Sequence, residues 1–185
     1  MEQRLNLIAN PAPLGLFGFG MTTILLNIHN AGFYPLNVMI MAMGIFYGGM
    51  AQIIAGIMEF KKGNTFGALA FTSYGFFWLT LVFIWTAPGL NLPKTDPLAL
   101  GWYLFMWGLF TFVLFLGTLH GNTIGKMIFG SLVILFWLLA AHNFTGSETL
   151  LTIAGYEGIF CGFCAFYEAA GIILNEKFGR VVLPL

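Results

Sequence analysis

Apolar residues gather into six long runs, 11–30, 36–58, 65–87, 98–119, 123–142 and 150–174, parted by short connections that carry glycine, proline or charge. A helix rises about 1.5 Å per residue, so roughly 20 mostly apolar residues match a hydrocarbon core about 30 Å thick. Each run is long enough to cross it. Lipid offers no partner to backbone N–H and C=O groups, which predicts helices and leaves little chain for a soluble domain. The pattern therefore predicts an all-α membrane protein with six transmembrane helices. The longest connection falls near 88–97 and no low-complexity stretch divides the chain, so residues 1–185 are expected to form a single domain.

Composition agrees: 59% of residues are hydrophobic and 8% charged, against about a quarter charged in soluble domains. Seven basic and seven acidic side chains cancel, which removes the electrostatic case for a nucleic-acid partner. Their distribution is uneven. Arg4, Lys61, Lys62, Lys126, Lys177 and Arg180 fall at one set of connections and termini, and Lys94 alone on the other. Because positive charge stays inside, both termini are expected to be cytoplasmic, in a bacterial-type inner membrane. Residues 1–9 lack the pattern of a removable signal peptide, so the first helix is expected to be retained.

Two turns repeat. Gly63-Asn64-Thr65-Phe66-Gly67 recurs as Gly121-Asn122-Thr123-Ile124-Gly125, and Asn10-Pro11 opens the first run in a similar way. Asparagine is a good N-cap, and proline suits a first helical turn. Counted from these starts, Phe19, Tyr74 and Leu132 reach similar depth, about 15 Å in, each preceded by a small residue: Gly18, Ser73 or Ser131. This register predicts three pseudo-repeated helical hairpins, one-two, three-four and five-six, around a central path whose neck is Phe19, Tyr74 and Leu132. The plainer alternative is a generic turn with three ordinary packing residues.

No Lys or Arg lies in the middle of a run. An anion would instead meet the helix starts at Asn10, Asn64 and Asn122, with their unpaired N–H groups and partial positive charge. Thr22, Thr23, Asn27, Asn30, Gln52, Thr72 and Ser73, with Ser131 beside the neck, are the candidate hydrogen-bonding residues along the path. The competing reading is a polar seam between helices.

Other chemistry finds no support. Cys161 and Cys164 sit within an apolar run, without a second ligand pair, and read as small packing residues. His29, His120 and His142 lack metal-ligand spacing, and no nucleophile elbow or phosphate loop occurs. No enzyme, metal or cofactor is therefore expected. Glu157 and Glu168 share a helix face within about 20° and must be protonated, paired or turned toward water or another helix. Glu59, next to two lysines, reads as an interfacial charge. Gly44-xxx-Gly48 and Gly158-xxx-Gly162 fit close helix approach, between subunits or within one.

Asn10-Pro11-Ala12-Pro13-Leu14-Gly15-Leu16 resembles the signature of the acetate uptake transporter family, the succinate–acetate permeases. Gly18-Phe19-Gly20-Met21-Thr22-Thr23, Asn30-Ala31-Gly32-Phe33, Phe46-Tyr47-Gly48-Gly49, the first Gly-Asn-Thr turn and Leu174-Asn175-Glu176 resemble the family in order and position. The resemblance implies six helices per protomer, a homo-oligomeric ring of six, and a path for acetate and related carboxylates such as succinate through each protomer. It also implies a constriction of Phe, Tyr and Leu, carried here onto Phe19, Tyr74 and Leu132. Whether the permeant crosses as an anion helped by the Tyr74 phenol, as the neutral acid or together with a proton is open at this level. Two other classes remain beside it: a urea or other small neutral-solute channel, and a non-transport structural membrane subunit.

Overall fold

The computed structural model describes residues 8–185. Glu2 and Arg4, part of the charge asymmetry, lie outside the described residues. Among the described residues, six helices are long and apolar enough to span a membrane. They are α1 Ala12–Asn30, α2 Val38–Lys62, α3 Thr65–Thr86, α4 Pro97–Thr118, α5 Thr123–Thr145 and α6 Glu148–Phe178. The protein is a multi-pass membrane protein.

Local chemistry sets the ends. Asn64 accepts from the Gly67 N–H at 3.1 Å, Asn122 from Gly125 at 2.6 Å and Asp96 from Ala99 at 2.9 Å, each satisfying a donor that the first turn leaves free. Asn10 lies one residue outside the helix start and accepts from the Ala12 N–H at 3.2 Å, so Pro11 occupies the cap position. Helix α6 runs on to Phe178, beyond the apolar run, and stops where Gly179 turns left-handed at φ +62°. Asn175 then accepts from the Val182 and Leu183 N–H groups at 2.6 and 3.0 Å and folds the tail back onto α6.

Helix α2 departs from regular geometry. Residues Gly44–Ala51 wind as a π-helix, a wider coil common at functional sites, and its glycines face α1 and α3. A Cβ on Gly44 would meet the Val82 side chain at 2.7 Å, and one on Gly48 would meet Thr22 at 2.9 Å.

The most extensive packing joins α1 with α6, α4 with α5, α5 with α6, and α2 with α3. The helices thus circle in the order α4, α5, α6, α1, α2, α3. The circle closes differently from how it is otherwise built, because α3 and α4 have at most a marginal close backbone approach. Of the expected hairpins, five-six is among the pairs that pack most extensively, whereas three-four is not, and the reason lies in residue size. Between α1 and α6 a Cβ on Gly20 would sit 2.7 Å from the Gly162 carbonyl oxygen, and one on Gly155 would sit 2.3 Å from the Ala31 nitrogen. Between α3 and α4 stand rings: Phe77 lies 5.9 Å from Tyr103 and 5.2 Å from Trp107. Both glycine motifs are used inside the protomer, Gly158 and Gly162 against α1, and Gly44 and Gly48 against α3 and α1.

Candidate functional site: two cavities and a shared wall

Two cavities enter the bundle from opposite ends. The first, about 320 Å³, opens among the Asn64 and Asn122 helix starts, and the second, about 210 Å³, reaches Asn30, His142 and Asn143 at the other end. Both are lined mainly by apolar side chains. Phe19, Tyr74 and Leu132 line both. They come from α1, α3 and α5, are nearly buried at 7%, 4% and 3% exposure, and the Phe19 and Tyr74 rings are 6.0 Å apart. Phe110 and Phe129 add rings 5.6 and 6.3 Å from Tyr74.

The first cavity carries Asn64, Asn122, Gln52 and Glu168. Gln52, fully buried just beyond the π-helix, donates from Nε2 to the Gly48 carbonyl at 2.7 Å, and its Oε1 has no partner. Asn122 caps α5 with its oxygen and donates from Nδ2 to Glu168 at 2.8 Å. A carboxylate already belonging to the protein thus sits beside the start of α5, where a permeant anion was expected to be drawn. Glu59 is fully buried behind this end. It accepts from Asn64 Nδ2 at 2.8 Å and lies 3.9 Å from Lys62, which donates to Asn10 at 3.0 Å. That network ties the starts of α1 and α3 together, so Glu59 is more than an interfacial charge.

The second cavity carries Thr23, Asn27, His29, Asn30 and Trp78. Asn27 donates to the Thr23 carbonyl at 2.9 Å and accepts from Asn30 at 3.0 Å. Thr23 Oγ1 and Trp78 Nε1 are buried without partners.

Of the residues singled out by sequence, Phe19, Tyr74, Leu132, Thr23, Asn30, Gln52, Asn64 and Asn122 line one or both cavities. Thr22, Thr72, Ser73, Ser131 and Asn10 line neither. Thr22 turns toward α2 and reaches the Met43 carbonyl at 3.5 Å, and Thr72 packs where Gly56 leaves room. Ser73 borders the groove between α3 and α4 with Tyr103 and Trp107, Ser131 donates to the Ile128 carbonyl at 3.1 Å, and Asn10 is exposed. Thr22 and Ser131 thus satisfy neighbouring backbone carbonyls, whereas Thr72 Oγ1 is buried without a partner. The sequence reading missed Thr111, whose hydroxyl accepts from the Tyr74 phenol at 2.9 Å. Its signal was a lone hydroxyl between Phe110 and Phe112 in an otherwise apolar stretch.

Comparison with known proteins supplies independent findings. Residues 2–184 match the family model described as the GPR1/FUN34/yaaH family. The chain is 56% identical to the succinate-acetate/proton symporter SatP of Escherichia coli (strain K12), over 96% of this chain and 95% of that protein. It is 38% identical to ammonia transport outward protein 2 of Saccharomyces cerevisiae, over 95% of this chain and 66% of that protein. A solved structure of the bacterial acetate channel SatP matches with a TM-score of 0.95 at 56% identity, covering 96% of this chain and 99% of that one.

Proposed function

The chain belongs to the GPR1/FUN34/yaaH family, and on that premise we propose that it moves acetate and related short carboxylates, succinate among them, across a membrane. It is a transport protein and not an enzyme. The permeant enters one cavity, passes a neck made by Phe19, Tyr74 and Leu132, and leaves through the other. The observation that carries this reading is that two cavities from opposite ends of the bundle share those three side chains as their common wall.

Helices α1, α3 and α5 act as a pseudo-threefold set: each starts at an asparagine on the same side and each contributes one neck residue. Asn64 and Asn122 serve the entrance on that side, Gln52 lies on the approach to the neck, and Thr23 and Asn30 lie beyond it. Thr22, Thr72, Ser73, Ser131 and Asn10 support these groups from the surrounding helix contacts. The side bearing Lys61, Lys62, Lys126, Lys177 and Arg180 faces the cytoplasm, with both termini, in the inner membrane of a bacterial-type cell. The protomer works within a homo-hexamer and carries its own path.

The test is uptake of radiolabelled acetate by proteoliposomes of purified protein, with and without a pH gradient. Acetate uptake that unlabelled succinate competes with is expected. Tyr74→Ala is expected to change the rate or the discrimination between acetate and larger carboxylates several-fold. Flux of urea or ammonium unaffected by acetate, or no flux at all, would overturn the reading.

A further inference from the structure

We propose that residues 177–185 form a strap at the membrane surface that binds anionic phospholipid, with Lys177 and Arg180 on the phosphates and Phe178, Val181 and Val182 against the acyl chains. The proposal goes beyond the transport reading and does not depend on what crosses the bundle.

The strap is made by a reversal at the end of α6. The apolar run stops at Leu174, but the helix continues to Phe178, about one turn further, before Gly179 turns left-handed. Residues 180–185 then run back along α6. Leu185 packs where Gly171 has no side chain, since a Cβ there would lie 2.6 Å from the leucine Cδ2, and the Pro184 carbonyl accepts from the Tyr167 phenol at 2.9 Å. Gly171 and Tyr167 both belong to the apolar run. The segment thus leaves the helix end and returns to the level of the hydrocarbon boundary.

Backbone that turns back toward lipid must bring its own hydrogen-bond partners. Asn175 supplies them. Its Oδ1 accepts from the Val182 and Leu183 N–H groups at 2.6 and 3.0 Å, and its Nδ2 donates to the Leu183 carbonyl at 2.8 Å. Proline at 184 has no N–H to satisfy. A loop that stayed in water would find the same partners there.

The outer surface of the strap has two characters. Val181 is 76% exposed, Phe178 61% and Val182 40%. Beside them Lys177 and Arg180 are exposed, and among the described residues neither forms an ion pair. Glu176 is the single acid in 175–185, whereas Lys61, Lys62 and Lys126 stand near the same end of the bundle, where α2 ends and α5 begins. Apolar groups interleaved with cations match the edge of a bilayer, where acyl chains take the first and phosphates the second. A choline headgroup cancels its own phosphate, so the net attraction selects anionic lipid. The part of α6 that holds the strap also carries Glu168 and Ile172, which line the first cavity. Lipid held here braces one wall of that entrance.

The experiment titrates the purified protein in mild detergent with phosphatidylglycerol or with phosphatidylcholine of the same acyl chains. Bound lipid is read by native mass spectrometry, and the midpoint of thermal unfolding is followed beside it. Phosphatidylglycerol is expected to bind more tightly and to raise the midpoint more, as a ligand of the native state does. Lys177→Gln with Arg180→Gln should weaken its binding by about fivefold per charge, while Lys177→Arg with Arg180→Lys keeps it. Asn175→Ala leaves every charge in place but releases the strap, so it too should lose the preference, which attraction to loose cations does not require. Where Asn175→Ala does not fold, Tyr167→Phe removes only the bond to Pro184 and should weaken binding by a smaller factor.

Equal binding of the two lipids, or a preference untouched by the double glutamine variant, would overturn the proposal. So would a full preference in Asn175→Ala, or in Tyr167→Phe where that variant stands in, because surface charge without a strap then accounts for it. Soluble glycerol 3-phosphate at the same concentration is expected not to displace phosphatidylglycerol; displacement would mark a site for a free phosphate ester and sink the lipid assignment.

Discussion

The seam between α1 and α6 and the gap between α3 and α4 solve the same problem in opposite ways. At the first, glycines bring backbone onto backbone, with Gly20 against the Gly162 carbonyl and Gly155 against Ala31. At the second, backbones stay apart and Tyr74, Phe77, Tyr103 and Trp107 fill the space edge-to-face, stacked or tilted. Helices in lipid gain nothing from hiding apolar surface, so association rests on van der Waals contact and hydrogen bonds. Glycine contact supplies the first without rotamers to freeze, and nothing there can yield. Aromatic packing can adjust by turning rings. The neck side chains reflect this split: Phe19 stands on the unyielding seam, whereas Tyr74 stands on the adjustable side.

Substitutions on the two sides test that contrast. The largest effect is expected from Gly155→Val, because even a Cβ there would lie 2.3 Å from a backbone nitrogen that has no rotamer to move. A loss of about 3 kcal/mol, the upper end for overpacking, should appear in thermal unfolding in detergent. An intermediate effect is expected from Phe77→Leu, which keeps bulk but removes ring contacts to Trp78, Trp107 and Phe136. About 1 kcal/mol should be lost, with acetate uptake altered more than stability. The smallest belongs to Tyr103→Phe, which removes hydroxyl contacts to Thr80 at 2.8 Å and the Phe77 carbonyl at 3.2 Å. About 0.5–1 kcal/mol is expected, with the fold intact. A tolerant Gly155 beside a fold-breaking Phe77 would reverse the comparison.

The six spans were legible because run length and lipid leave the backbone one option. The starts of α3 and α5 were legible too, since Asn64 and Asn122 act through their nearest backbone neighbours. What failed to show in the sequence was pairing and orientation. Chain order suggested that α3 packs on α4, but ring size in both holds them apart, a property that appears only when facing residues are known. Thr22, Thr72 and Ser131 carry the same hydroxyl as Thr23, and rotation about the helix axis decides which one meets a cavity. The π-helical turn of Gly44–Ala51 left no periodic trace, although it carries the glycines that admit Thr22 and precedes Gln52. Glu59 looked like a boundary charge because its partner Asn64 lies across a turn and was already accounted for as a cap.

The two cavities share three lining side chains, Phe19, Tyr74 and Leu132, each facing both. For the proposed path, such a partition would call for no hinge and no rocking of half the molecule, only for torsions of a phenyl ring, a phenol and an isobutyl group. Such torsions are much faster than helix displacement. On the proposed path, permeation is then paced by how often the torsions of three side chains agree, and stiffening or thickening the surrounding lipid is expected to have little purchase on the rate.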